Sequence, residues 1–196
     1  MIPGVRHRAT RRRSTGVITF DNVATAEGSA TTTLNLTTGS NATIIVFVAG
    51  DITNAARVDG VAMTLIAKTS NAGMYYATGL SAGSHTVQTD RNGSTGHIVS
   101  ALSYLGVTTV SGGTTNSGSG TSLSASAAGS GGIVVAGFDL ASGSSDIANV
   151  TSNGVIRVRY RRTTGNCQVV ADLNASPVTA SNSYGSGWTS IGVRLT

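Results

Sequence analysis

Along most of the chain, apolar and polar positions alternate with a period of two. In "TTTLNLTT" from Thr31, Leu34 and Leu36 are set against Thr and Asn, and "TSLSASA" sets Leu123 and Ala125 against Ser. This is the pattern of strands with one face buried and one face wet. Two segments break the alternation: "TIIVFVAG" from Thr43 and "GGIVVAGFDLA" from Gly131 are continuous apolar runs, which reads as strands covered on both faces. "GVITF" from Gly16 predicts a first strand, and "HIVSALSYLGV" from His97 a long one. "ARVDGVAMTLIAK" places Asp59-Gly60 between apolar runs, a strong hairpin signal. "AGMYYATGL" and "GSHTVQTD" form a further strand pair, and "GVIRVRYRRTTGNCQVVADL" predicts a hairpin turning at Thr164-Gly165-Asn166. "WTSIGVRL" from Trp188 closes the chain, while "SGGTTNSGSG" over Ser111–Gly120 reads as a low-complexity surface loop. Roughly a dozen strands with no helical period predict an all-β fold. Residues 17–196 are expected to form a single β-sandwich of jelly-roll type, preceded by an extended arm over residues 1–16.

Composition agrees with one folded domain. The chain has 196 residues, of which 39% are hydrophobic and 11% charged, with 26 glycines and 2 prolines. That is too apolar for a disordered chain. Charge changes the picture more. The formal net charge is +5, yet Arg6, Arg8, Arg11, Arg12 and Arg13 all lie in the opening "MIPGVRHRATRRRSTG". Beyond residue 13 the eight remaining basic residues face eight acidic ones, so the body is neutral. A neutral body lacks the broad positive field that duplex nucleic acid requires.

Several strands, in this order, resemble a known module. "ITFDNVATAEGSATTTLNLTT", "TIIVFVAG", "VDGVAMTLIAK", "MYYATGLSAGSHTVQT", "SALSYLGV", "GIVVAGFDLAS" and "WTSIGVRL" are similar to the Gly/Ser/Thr-rich β-sandwich of minor tail and virion surface proteins of actinobacteriophages. The resemblance spans about residues 17–196 and leaves the arm outside. It implies a non-enzymatic structural or adhesive role on a virion, on the tail or decorating the capsid. No catalytic residue comes with it. The expected site of action is the virion, with synthesis in a bacterial cytoplasm, since no apolar h-region follows Met1.

The arm then has four readings. A mitochondrial transit peptide should form an amphipathic helix, which Pro3, Gly4 and contiguous Arg11-Arg12-Arg13 oppose. A nucleic-acid tail is disfavoured because no aromatic residues interleave with the arginines. A solvated tail is the plain alternative. The reading preferred is an anchor, Arg6, Arg8, Arg11, Arg12 and Arg13 making bidentate contacts to an acidic neighbouring capsid or tail subunit.

Two further stretches qualify as contact sites. In "VIRVRYRR", alternation predicts Arg157, Arg159 and Arg161 on one exposed face, opposite Ile156, Val158 and Tyr160. Such a row fits acidic glycans, phosphates or a partner subunit, or is a solvated face that discourages edge pairing. In "SNSYGSGW", Tyr184 and Trp188 could supply aromatic platforms for a host cell-surface polysaccharide. His7, His85 and His97 carry no metal or triad spacing, and no Ser has a positioned base. No enzyme, metal or cofactor is therefore expected. Cys167, the only cysteine, reads as a buried thiol. No apolar run approaches the ~20 residues of a membrane span, and a symmetric homo-oligomer suits a virion part.

Overall fold

The computed structural model describes residues 16–50, 53–91, 96–141, 147–162, 165–183 and 185–196. The N-terminal half contains β1 (Thr19–Gly28), β2 (Thr32–Thr38), β3 (Ala42–Gly50), β4 (Thr53–Val58), β5 (Val61–Ala62), β6 (Thr64–Lys68), β7 (Ala72–Leu80), β8 (Gly83–Arg91) and β9 (His97–Leu105). The C-terminal half contains β10 (Val110–Ser119), β11 (Ser122–Ala125), β12 (Ile133–Leu140), β13 (Thr151–Ser152), β14 (Val155–Arg161), β15 (Cys167–Leu173), β16 (Val178–Ser181) and β17 (Gly187–Leu195), with one 3-10 turn at Ile147–Asn149.

The all-β, antiparallel sandwich class is as expected, but the single sandwich expected over residues 17–196 is corrected: the chain forms two, one in each half. In the N-terminal half an inner sheet of order β1-β9-β3-β7-β6 faces an outer sheet of order β2-β8-β4-β5. Successive strands pass between the two sheets, which is the interleaving of a jelly roll. In the C-terminal half the inner sheet is β10-β17-β12-β15-β14 and the outer sheet β11-β16-β13. Writing β10, β11, β12, β13, β14, β15, β16 and β17 for β1, β2, β3, β4, β6, β7, β8 and β9 converts the first arrangement into the second. Even the irregularities repeat. Ile66 is the extra residue of a bulge between β6 and β7, and Arg157 is the extra residue at the equivalent place between β14 and β15. The β1 and β10 edges likewise shift register near their starts, between Phe20 and Asn22 and between Ser111 and Thr114.

The two inner sheets pack on each other, so the molecule is a stack of four sheets with three cores between them. This explains the two continuous apolar runs. On β3, Ile44, Val46 and Val48 face the outer sheet while Ile45, Phe47 and Ala49 face the central seam. On β12, Val134, Ala136, Phe138 and Leu140 face outward and Val135 faces the seam. Across the seam β1 lies against β14, β6 against β10, and β3 against β12. Exchange of the halves maps the first contact onto the second and the third onto itself. The halves are thus related by a pseudo-twofold axis that passes between β3 and β12, as in an isologous dimer. Both strands run the same way along it, because Gly50 at the end of β3 meets Asp139 near the end of β12.

At the axis the equivalence is broken. Gly137 sits opposite Phe47, and a Cβ at Gly137 would fall inside van der Waals contact of the Phe47 ring. One large side chain fills space that two symmetric ones could not share.

The segment Ser111–Gly120, expected as a loop, is instead most of β10. Its Gly113 and Gly118 allow close approach: Cβ atoms there would lie 2.6 Å from Ile66 Cγ2 and 2.8 Å from the Trp188 ring. Close packing accounts for these two glycines.

Candidate functional site

The strand of three arginines was the sharpest surface feature of the sequence, and the bulge in β14 redistributes it. Ile156 pairs with Ala171 and Val158 with Val170, so Arg157 is the residue left over between them. The face assignment from simple alternation therefore fails at this point: Ile156 packs in the outer C-terminal core, whereas Val158 and Tyr160 join the seam. Arg157 turns to the seam too, its Nε donating to Asp172 Oδ2 at 2.8 Å. Its guanidinium stands 4.1 Å over the Phe20 ring, and Phe20 meets Tyr104 edge-on at 5.7 Å. Arg159 donates through Nε and Nη2 to the Val150 carbonyl at 3.2 and 2.8 Å. Only Arg159 and Arg161 of the three are exposed. There is no continuous row of three cations. Arg157 is a structural member of the seam.

The seam holds further polar groups that join the two halves. Tyr104 donates to Asp172 Oδ2 at 2.9 Å, and burial together with the Asp172 carboxylate raises the phenol well above its ordinary range. Gln168 donates to the Phe47 carbonyl at 3.0 Å and accepts a short hydrogen bond from Ser100 Oγ. Asp139, only 3% exposed, accepts from Gly50 N at 3.4 Å and from Asn166 Nδ2 at 3.0 Å. Burial pushes this carboxyl up to about 7, against the opposing pull of the Gly50 and Asn166 hydrogen bonds. Buried polar groups with matched partners fix one register between packed sheets, where apolar side chains alone would tolerate sliding. Sequence reasoning passed over these residues. The available signal was a lone polar residue inside an apolar run, Asp139 in "VVAGFDL" and Gln168 in "CQVV".

The aromatic pair does not form a sugar platform on the described surface. Trp188 is 8% exposed and packed in the outer C-terminal core, its ring laid against Gly118. Stacking on a sugar needs a ring face open to solvent, so Trp188 is reassigned to the core. Tyr184 lies outside the described residues, as do Arg6, Arg8, Arg11, Arg12 and Arg13. Cys167 is buried. Among the described residues no three His, Cys, Asp or Glu side chains gather into a metal site.

One histidine is built into a turn. Asp59, in the left-handed region at φ 52°, accepts from Thr86 N at 2.8 Å and pairs with His85 Nδ1 at 2.6 Å. His85 Nε2 reaches the Ser81 carbonyl at 2.9 Å. With both ring nitrogens held by acceptors the imidazolium form is favoured, and neither nitrogen is left to act as a base. The Asp59 hydrogen bond raises the histidine above 6.5, and the same bond holds the Asp59 carboxyl below 3.8. The histidine's contribution to stability is complete below pH 6.5 and is lost as pH rises through its folded value. The aspartate's is present above pH 3.8 and is lost as pH falls through its own lowered value. The urea unfolding free energy of His85→Gln should therefore fall below wild type by about 1 kcal/mol at pH 5.5 and by less at pH 9. Equal deficits at both pH values would contradict this assignment.

The two poles of the stack differ. At one pole the Thr196 carbonyl accepts from Thr108 N and Thr109 N at 2.6 and 2.7 Å, and Gly106 approaches Val17 and Gly16. The start of β1, the junction between halves and the last residue thus meet, and the basic arm joins the body here. The opposite pole carries Gly50, Gly96, Ala141, Arg162 and Asn166, where β3, β12 and β14 end and β9 and β15 begin. The C-terminal outer sheet forms a shallow furrow lined by Ser122, Thr151, Ser152, Asn153, Thr179 and Ser181 together with Leu123 and Ala180. No family model, curated protein or solved structure matches this chain.

Proposed function

We propose that this protein is a non-enzymatic accessory structural component of a bacteriophage particle, a minor tail or capsid decoration protein. In this reading the Arg-rich arm docks on an acidic neighbouring subunit and the four-sheet body stands out from the surface. The observation that carries the reading is the polarity of the fold. The described body begins, at Gly16, beside the junction and Thr196, so an anchor preceding it would dock at that pole and point the ends of β3, β12 and β14 away from the particle. A duplicated jelly roll, locked along its seam by buried hydrogen bonds, suits a rigid spacer, and jelly rolls recur in viral capsid and lectin domains.

Deletion of residues 1–13 tests this. The truncated protein should unfold at the wild-type temperature, because the four sheets and three cores are built from residues after 16, yet it should be missing from purified particles. Normal incorporation of the truncated protein would refute the anchor.

A second reading, a host-surface glycan-binding module, is favoured by the hydroxyl- and amide-lined furrow on the C-terminal outer sheet. It is distinguished by retention of the purified protein on host cell-wall polysaccharide, which a purely structural part would not show. A nucleic-acid role for the arm would instead give DNA binding that weakens steeply with salt.

A further inference from the structure

An open sheet edge invites another strand, and proteins usually defend it with charge, bulges or brevity. The edges of this stack are unequally defended. On one side β1 carries Asp21 and Glu27 and a bulge, and β14 carries the exposed Arg159 and Arg161 and a bulge. On the same side β2 is capped in part by Asn22, whose Nδ2 donates to the Thr37 carbonyl. On the other side β5 spans two residues, β6 five with a bulge, and β11 four.

β10 is the exception. It spans ten residues, contains no charged residue and no proline, and is exposed along most of its length. After the shift at Ser111/Thr114, its pairing with β17 is regular from Thr114 to Ser119. It stands at the end of its sheet, with no strand on its other side among the described residues. Thr114 and Asn116 bond to the carbonyls of Ser126 and Ser124 on the outer-sheet side. Ala128 N donates to the Gly112 carbonyl at 3.2 Å, ahead of the Thr114–Ser119 stretch. Beside it, on the same side of the stack, Val61 and Leu65 are 68% and 50% exposed.

We infer that the β10 edge, over Thr114–Ser119, is a self-association surface that pairs antiparallel with β10 of a second copy of this chain. The choice of a second copy follows from charge. Pairing about a twofold sets an edge against itself, so an edge bearing like charges repels its own copy, whereas an uncharged edge is complementary to itself. β14, with its arginines, fails that test and β10 passes it. Pairing would join two five-stranded inner sheets into one continuous sheet, with Val61 and Leu65 at its margin. This inference goes beyond the virion reading and does not depend on it.

The experiment is sedimentation equilibrium of the full chain between about 1 and 100 µM, with Thr115→Lys/Ser117→Lys as the matched variant. Both positions are exposed, so the variant should keep the wild-type unfolding temperature. Wild type is expected to dimerise in this range, and the variant's dimer should be weakened by about tenfold or more through like-charge repulsion across the edge. Association should change little between 50 and 500 mM salt, because the pairing edge is uncharged. Amides of Thr114–Ser119 should exchange more slowly as wild-type concentration rises. A wild-type monomer throughout, or a dimer untouched by the two lysines, would overturn the inference. A dimer dissolved by salt would also overturn it and point to the arm.

Discussion

Replacing Asp139 with Asn is expected to stabilise the fold at pH 8 while leaving it nearly unchanged at pH 4. The carboxyl lies in the seam, 3% exposed, and burial raises it from 3.8 to about 7. Between these values the folded state holds a proton that the unfolded chain has released, so stability falls as pH rises through this window. At about 1.4 kcal/mol per unit, the full penalty above pH 7 is on the order of 4 kcal/mol. An amide reproduces the neutral carboxyl, with donor capacity on one atom and acceptor capacity on the other. Imperfect placement of that donor beside Gly50 N or Asn166 Nδ2 reduces the gain, leaving about 2 kcal/mol at pH 8. Urea unfolding of both proteins at pH 4, 6 and 8 gives the comparison. Their difference should grow with pH; a difference independent of pH would show that Asp139 carries no burial penalty.

The second large effect lies on the pseudo-twofold axis. Gly137→Val should destabilise by about 3 kcal/mol, since the new side chain must displace a fully buried Phe47 ring between two sheets. Phe47→Ala should cost about 3–5 kcal/mol by leaving a cavity at the same point. Combined, the two changes should cost about 2 kcal/mol less than their sum, because valine occupies space that phenylalanine vacated. A thermal or urea double-mutant cycle reads this directly. Strict additivity would mean that the two residues do not share the axial site.

The strands and their faces were legible because alternation is a local property. Leu34 and Leu36 are buried and Thr33, Asn35 and Thr37 exposed as the pattern requires. The continuous runs at β3 and β12 announced strands covered on both sides, but nothing local says that each covers the other. The duplication escaped because the halves share topology rather than residues. Ile44, Val46 and Val48 correspond to Val134, Ala136 and Phe138, where only the apolar character is kept. β10 escaped because its glycines serve Ile66 and Trp188, which lie far away in sequence. The arginine row escaped because a bulge moves every following residue to the other face, and bulges leave no reliable trace in a pattern of period two. The arginine arm was legible as a concentration of charge, and the partner it would meet is a property of another molecule.

Gly16, Gly106, Thr108, Thr109 and Thr196 meet at one pole. The junction between the jelly rolls lies beside the first and last residues of the body, so the covalent link does little to position the halves. Their arrangement is written across the seam, in Gln168, Tyr104, Asp172 and the axial Phe47. Order along the polypeptide and order in space are thereby separable. A chain with the second half first, cut at the junction and joined from Thr196 to Gly16, is expected to reach the same body.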